Sequence, residues 1–352
     1  LEREFRIIDR QQKVKEALYL YLLEKREETA LTLAATEQSA KVIDAGLSSD
    51  LPVSPKKMII YLGALIAGLL IPFGIIYIAD LLNTKIKSRL DIERLLQVPF
   101  LGDVPRSESH EELIGTNSRS SSAEAIRIVR TNLEFMLSGA AENKAKTVFV
   151  TSTIPGEGKT FVSVNLAGTI ALSGKRVLLI GLDVRNPKLT EYLPVKPQGV
   201  TNYLTKSGTN ITDYITKIDN FDNFYALSSG AIPPNPAELL MNSKLGEMFD
   251  DLKTQFDYII VDTAPVGVVT DTVLIAQNAD AFIYVVRANY LDKRMLRIPN
   301  MFYNEKKLPN MSMVLNDTKI MKKGYGYGYG YGYGYGVEEE VLPWYKTIFK
   351  KK

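Results

Sequence analysis

The chain has 352 residues, 45 % of them hydrophobic, with 43 Lys and Arg against 40 Asp and Glu and a formal charge of +3. It has no cysteine, which excludes disulfides, thiol catalysis and Cys-ligated zinc, and one histidine, His110, which excludes a multi-His metal centre and a Ser-His triad. Charges of both signs are spread along the chain without the clustered basic footprint of a duplex binder, so no nucleic-acid partner is expected.

The sequence opens at Leu1 in mid-helix pattern rather than at a Met, as a piece of a longer protein would. From Leu1 to about Thr36 it has no Gly or Pro, and Val14, Leu18, Tyr21 and Leu22 fall on one helical face. This predicts a long amphipathic or coiled-coil helix, with a plain surface helix as the alternative. A Gly-, Ser- and Pro-bearing loop follows, Gly46 to Pro55. Met58 to Ala79 then carries no charge over about the length that crosses a hydrocarbon core. Pro72 inside it is tolerable in a membrane helix and costly in a short soluble one. Lys56 and Lys57 precede the stretch, and Lys85, Lys87, Arg89 and Arg94 follow it, which favours a cytoplasmic C-terminal side. A buried core helix is the competing reading.

Past Leu82, short apolar runs at Thr147–Thr151, Arg176–Ile180, Phe224–Leu227, Tyr258–Val261, Ala281–Val286 and Met311–Leu315 are separated by helical patterns. That alternation predicts an α/β domain with a mostly parallel sheet covered on both faces. His110 lies in the polar run Ser107–Glu111 and reads as a solvated loop residue. From Gly324 to Gly336, Gly and Tyr alternate without interruption, a composition that builds no packed core.

The chemistry concentrates in three motifs. In Thr147–Thr160 an apolar strand runs into Thr153-Ile-Pro-Gly-Glu-Gly-Lys-Thr160, and a helix opens behind it with Phe161. Gly156 and Gly158 let backbone N–H groups converge on phosphate, Lys159 reaches the β- and γ-phosphates, and the Thr160 hydroxyl ligates Mg²⁺. The strict phosphate-loop pattern has Gly where Thr153 stands. The second motif, Val177–Pro187, places Asp183 and Arg185 past the end of an apolar strand. The third, Asp257–Pro265, ends a strand on Asp262, where a carboxylate acts on Mg²⁺ directly or through water. Together they indicate nucleotide hydrolysis or transfer.

On these residues the chain resembles the bacterial tyrosine kinases of capsule and exopolysaccharide export, the BY-kinases, many of which are fused to a polysaccharide chain-length co-polymerase. Thr151–Thr160 looks like the family's Walker A, Leu179–Arg185 like its Walker A′, and Ile259–Asp262 like its Walker B. Gly230–Leu240 resembles a further family segment. Glu124-Ala-Ile-Arg127-Ile-Val-Arg130 matches the family's ExxRxxR element, which packs subunits into a ring; without the resemblance those charges read as a solvated helix face. One departure stands out: the Walker A′ usually carries two acids, and Gly181 replaces the first.

The resemblance implies an autokinase bound to the bacterial inner membrane that uses ATP and Mg²⁺. Residues 1–57 would be the end of an extracytoplasmic co-polymerase region, 58–82 the membrane helix, 83–320 the cytoplasmic P-loop kinase domain and 321–352 a tyrosine-rich tail. Nucleotide contacts are expected from Thr153, Pro155, Gly156, Glu157, Gly158, Lys159, Thr160, Phe161 and Arg185. Lys159, Asp183 and Asp262 are expected to be catalytic, and Thr160, Asp183 and Asp262 to serve the metal. For Arg185 a structural salt bridge is the equal alternative. Tyr325, Tyr327, Tyr329, Tyr331, Tyr333 and Tyr335 are the expected phosphoacceptors, and Glu124, Arg127 and Arg130 the ring contacts. The implied partners are further copies of the chain, the polysaccharide polymerase and export machinery, and a tyrosine phosphatase. The competing readings are a membrane-anchored P-loop ATPase of the partitioning type and a nucleotide-binding scaffold without kinase activity.

Overall fold

The structure, a computed structural model, describes residues 2–35, 54–107, 118, 120–139 and 145–319. His110, most of the Gly46–Pro55 loop and the whole Gly-Tyr tail lie outside the described residues. The chain divides into two compact units, Leu1–Ile78 and Ala79–Lys352.

In the first unit, Glu2–Ala35 is one 34-residue helix, exposed along its described length. Ion pairs run along it, such as Lys13–Asp9 at 3.0 Å and Lys25–Glu28 at 2.6 Å. A second helix, Lys57–Leu81, has 25 residues and no buried side chain. At 1.5 Å rise per residue it is about 37 Å long, enough to cross a hydrocarbon core of about 30 Å. Being exposed throughout, it does not behave as the core helix of a soluble domain.

The second unit is built on an eight-stranded sheet. Its strands are β1 (Phe100–Pro105), β2 (Lys146–Ser152), β3 (Val177–Gly181), β4 (Thr216–Lys217), β5 (Phe224–Leu227), β6 (Tyr258–Asp262), β7 (Ala281–Arg287) and β8 (Met311–Thr318). Their order is β1-β8-β7-β2-β6-β3-β5-β4, with every pair parallel except β4–β5. The six strands expected from apolar runs are present. The two that sequence reading leaves out, β1 and β4, are the sheet edges. β1 holds Gly102, Asp103 and Pro105 and is irregular in register, and β4 has two residues; edge strands bury one side only and show little apolar periodicity.

Both faces of the sheet are covered, and each has its own apolar core. Helices Ser121–Met136 and Lys159–Ala171 belong to one face, Ser243–Lys253 and Arg297–Asn304 to the other. All thirteen residues of Lys159–Ala171 are buried, which is why it reads as apolar all round rather than amphipathic. Phe149 on β2 is fully buried between Phe249 and Phe282, with ring centroids at 5.8 and 5.3 Å. Phe149→Ala is expected to lower unfolding stability by about 3–5 kcal/mol, read as a shifted urea midpoint, because the cavity lies at the centre of the sheet and cannot close.

The segment just past Leu82 is strapped to this domain. Ile86 is fully buried, donates its N–H to Leu291 O (3.0 Å) and accepts from Asn289 N (2.6 Å), while Lys293 N donates to Thr84 O (2.8 Å). The strap fixes the turn that follows β7.

Candidate active site

The C-terminal ends of β2, β6 and β3 lie side by side, and register alone brings the three motifs together. Val150 is opposite Asp262 across β2–β6, and Gly181 is opposite Asp262 across β6–β3. Residues from three parts of the sequence therefore meet at the sheet's carboxyl edge, where parallel sheets place their ligands.

Lys159 is the hub. Its Nζ donates to Asp183 Oδ2 at 2.9 Å, and both side chains are buried. Burial works against the ammonium charge, but the Asp262 and Asp183 carboxylates outweigh it and raise the pKa above the ordinary lysine value. Thr160 Oγ1 donates to Asp262 Oδ2 at 2.7 Å. Asp262 is pushed up to about 6 by burial, with Lys159 pulling the other way. Its second oxygen, Oδ1, is buried and has no hydrogen-bond partner among the described residues. An orphaned carboxylate oxygen beside a threonine hydroxyl fits the Mg²⁺ of a phosphate-loop site. Among the described residues no cluster of three His, Cys, Asp or Glu could cage a metal alone, and Mg²⁺ bound here would take waters and phosphate oxygens as further ligands.

The loop itself is tightly held. Gly156 and Gly158 have φ of 86° and 90°, the left-handed region open to glycine. A Cβ at Gly158 would fall 2.0 Å from Asn316 Nδ2. Thr153 has no positive φ and needs no glycine; its hydroxyl is 2.9 Å from that of the buried Tyr284. Glu157 is fully buried and turns inward, accepting from Ile154 N at 2.8 Å and Arg287 N at 3.4 Å. Its side chain braces the loop from within, which leaves the backbone of Glu157 for the nucleotide contact expected of it. Phe161, on the first turn of the following helix, lines an open cleft of about 150 Å³ with Arg106, Gly156, Gly158, Arg287 and Asn316.

Burial raises the Glu157 carboxyl from 4.5 to about 7. A group whose folded pKa lies above its unfolded one stabilises the fold below the unfolded pKa, and that contribution is lost as pH rises through the folded pKa. Without nucleotide, the wild-type domain should therefore lose on the order of 3 kcal/mol between about pH 4.5 and pH 7.5 from this group alone. Glu157→Gln is expected to flatten that slope in urea unfolding at about pH 5 and about pH 8; an unchanged slope would assign it to Asp262 instead.

Arg185 is bonded to a different acid from Lys159. Its guanidinium makes a bidentate pair with Asp271, Nε at 2.6 Å and Nη2 at 2.9 Å, so its fork is occupied by the protein. Asp271 is buried at the start of the helix Asp271–Leu274. Asn186 N, one residue on, donates to Asp183 Oδ1 at 3.1 Å and orients that carboxylate. In the Glu124–Arg130 element, Arg127 pairs with Glu124 within its own helix and donates to Ser118 O at 2.9 Å, and Arg130 reaches Thr169 O at 3.4 Å. The six tail tyrosines lie outside the described residues. Sequence reading missed Tyr284, Arg287, Tyr290 and Asn316 around the loop. Arg287 and Asn316 are polar residues in the last turns of buried strands, the same signal that singled out Asp262; Tyr290 gives none.

Comparison with known proteins agrees with this geometry. The AAA-domain family model matches residues 145–296, and that of the G-rich domain GNVR matches residues 2–80. The chain is 37 % identical over 164 residues to the tyrosine-protein kinase CpsD of Streptococcus pneumoniae, covering 47 % of this chain and 70 % of that protein. It is 28 % identical over 338 residues to the tyrosine-protein kinase ptk of Acinetobacter johnsonii, covering 92 % of this chain and 46 % of that protein. Against the latter and similar long relatives the chain spans less than half of their length. Among solved structures it resembles the kinase domain of the Escherichia coli tyrosine kinase ETK, with a TM-score of 0.59 at 25 % identity over 70 % of this chain and 100 % of that one. The shared phosphate-loop sheet and the identity to CpsD lead to one assignment: the chain belongs to the bacterial tyrosine-kinase (BY-kinase) family, and it carries a G-rich GNVR region ahead of the kinase domain.

Proposed function

We propose that the chain is an ATP- and Mg²⁺-dependent autokinase that transfers the γ-phosphoryl group to tyrosines of its own C-terminal tail. The observation that carries this reading is the Lys159–Asp183 pair beside the Thr160–Asp262 pair, at three adjacent strand ends, in a chain that also carries six regularly spaced tyrosines. Lys159 leaves Asp183 to neutralise the transferring phosphoryl oxygens, and its charge counts most where water is excluded. Thr160 and Asp262 would hold Mg²⁺, whose charge would offset that of the nucleotide's phosphates. Asp183, freed of Lys159, orients the incoming phenol and accepts its proton as the bond from phosphorus to the tyrosine oxygen forms and the bond to the ADP oxygen breaks. The phenol has a pKa of about 10, so base assistance belongs in the transition state.

About ten residues separate Asn316 from Tyr325, roughly 30 Å when extended, which favours delivery to a neighbouring copy's site in an oligomeric ring held by Glu124, Arg127 and Arg130. Each phosphate adds roughly −1.5 to −2 charges, and several on one tail would loosen such a ring. Residues 58–82 would anchor the chain in the inner membrane, with 1–57 outside, 83–320 and the tail 321–352 in the cytoplasm, and the kinase would regulate length and export of a capsular or extracellular polysaccharide. A tyrosine phosphatase would reset the tail.

The test is phosphosite mapping by mass spectrometry after incubation of the full chain with Mg²⁺ and ATP, beside a chain with all six tail tyrosines replaced by Phe. Phosphate on Tyr325–Tyr335, with ATP turnover surviving in the Phe variant, supports the kinase. Turnover with no phosphotyrosine in the wild type points to the ATPase reading, and neither activity to the scaffold.

A further inference from the structure

Three side chains outside the phosphate loop each donate to one of three consecutive loop carbonyls. Tyr290 Oη donates to Pro155 O at 3.0 Å, Arg287 Nη1 to Gly156 O at 2.9 Å and Asn316 Nδ2 to Glu157 O at 2.9 Å. All three come from the β7 and β8 ends or the turn after β7, none from the motifs that make the site. A trans peptide unit is planar, with its C=O and the following N–H pointing in opposite directions. The three bonded carbonyls therefore belong to the same peptide units as the N–H groups of Gly156, Glu157 and Gly158. Among the described residues no acceptor is bonded to those three N–H groups. The φ values alternate along this stretch: Gly156 at 86° and Gly158 at 90° are separated by Glu157, which has no positive φ. That alternation is the backbone form in which successive N–H groups converge on an anion.

Resting on the nucleotide-binding reading above, we infer that Tyr290, Arg287 and Asn316 are positioning residues that clamp the outward carbonyls of the loop and so hold its N–H groups aimed at the nucleotide's phosphates before it arrives. The clamp is itself supported. Arg287 Nε is held by Asp317 at 2.8 Å, and its guanidinium lies 5.1 Å from the centre of the Tyr290 ring. The turn carrying Tyr290 is pinned on the strap, since Ile86 bonds both Asn289 N and Leu291 O. Tyr290 is partly exposed and Arg287 half-buried, so neither is needed to fill the core. Among the described residues the loop carbonyls at those three positions have no other hydrogen-bond partner.

The experiment is calorimetric titration of Mg²⁺·ADP into the full chain, wild type against Tyr290→Phe, with thermal melting of each protein. Phe keeps the ring and its contact with Arg287 and loses only the donor. The expected result is a Kd raised about five-fold, a KM for ATP raised by a similar factor with a smaller change in kcat, and a melting temperature moved by less than about 2 °C. Arg287→Lys, which keeps the charge but cannot hold Gly156 O and Asp317 together, is expected to weaken ADP by about ten-fold. Wild-type affinity in both variants overturns the clamp, as does a loss of affinity that merely tracks a melting point lowered by many degrees. A wild-type chain that binds no ADP overturns the nucleotide reading and the clamp with it, which separates the two failures.

Discussion

Lys159→Met is expected to remove phosphate transfer, by at least about a thousand-fold in kcat/KM, and at the same time to change how the fold responds to pH. The first effect follows from position. Lys159 is the cation between two acidic strand ends, and no other Lys or Arg is bonded to either acid among the described residues. The second follows from burial. Without the ammonium, Asp183 and the fully buried Asp262 face each other with no positive charge between them. Breaking a buried pair by removing one partner costs about 3–5 kcal/mol when the other stays charged. Asp262, already pushed up to about 6 by burial, will instead take up a proton. The sign is then fixed: a carboxyl with a raised folded pKa stabilises the fold at low pH and loses that contribution as pH rises through the folded value. The variant should be near wild-type stability at about pH 5 and clearly weaker at about pH 8, in urea unfolding at both. Retention of transfer within ten-fold would remove Lys159 from the mechanism.

Asp183→Asn is expected to separate binding from chemistry. In this structure Asp183 holds Lys159 at 2.9 Å, and in the proposed mechanism that pair opens before the ammonium reaches phosphate. Removing the carboxylate should leave Mg²⁺·ATP affinity unchanged or tighter, while kcat falls by about 10²–10⁴ through loss of the proton acceptor. A lower kcat with a lower KM is the pattern of an interaction that stabilised the free enzyme. The position of the first Walker A′ acid is held by Gly181, where an added Cβ would meet Leu189 at 3.3 Å and Ser229 N at 3.4 Å. Gly181→Asp would therefore need the Leu189 side chain to give slightly and would add a third carboxylate to the pair already sharing Lys159. Single-turnover kinetics with Asp183→Asn decides the point. Equal losses in kcat and kcat/KM would mean that Asp183 acts only in the transition state, and an unchanged kcat would exclude it as the base.

The interior strands, the apolar span and the loop chemistry were legible because each depends on local pattern. β2, β6 and β7 are buried on both faces and read as continuous apolar runs. Lys57–Leu81 is uncharged over most of its length, and the Gly-x-Gly-Lys-Thr run puts positive φ where an anion site needs it. Asp183 and Asp262 could be singled out as polar ends of apolar strands, since a carboxylate there requires a reason. What the chain order could not contain is which strand ends touch. Lys159 meets Asp183 across 24 residues and Thr160 meets Asp262 across 102, and only the β2-β6-β3 adjacency makes them one site. The same holds for Arg185, whose choice between phosphate and protein was open until Asp271 came within 2.6 Å, and for the Tyr290, Arg287 and Asn316 donors, more than 130 residues from the carbonyls they hold. Local pattern follows from the conformational and solvation preferences of neighbouring residues, which the sequence carries in full. Pairing between distant segments follows from how the sheet closes its core, and that is decided only when the whole domain packs.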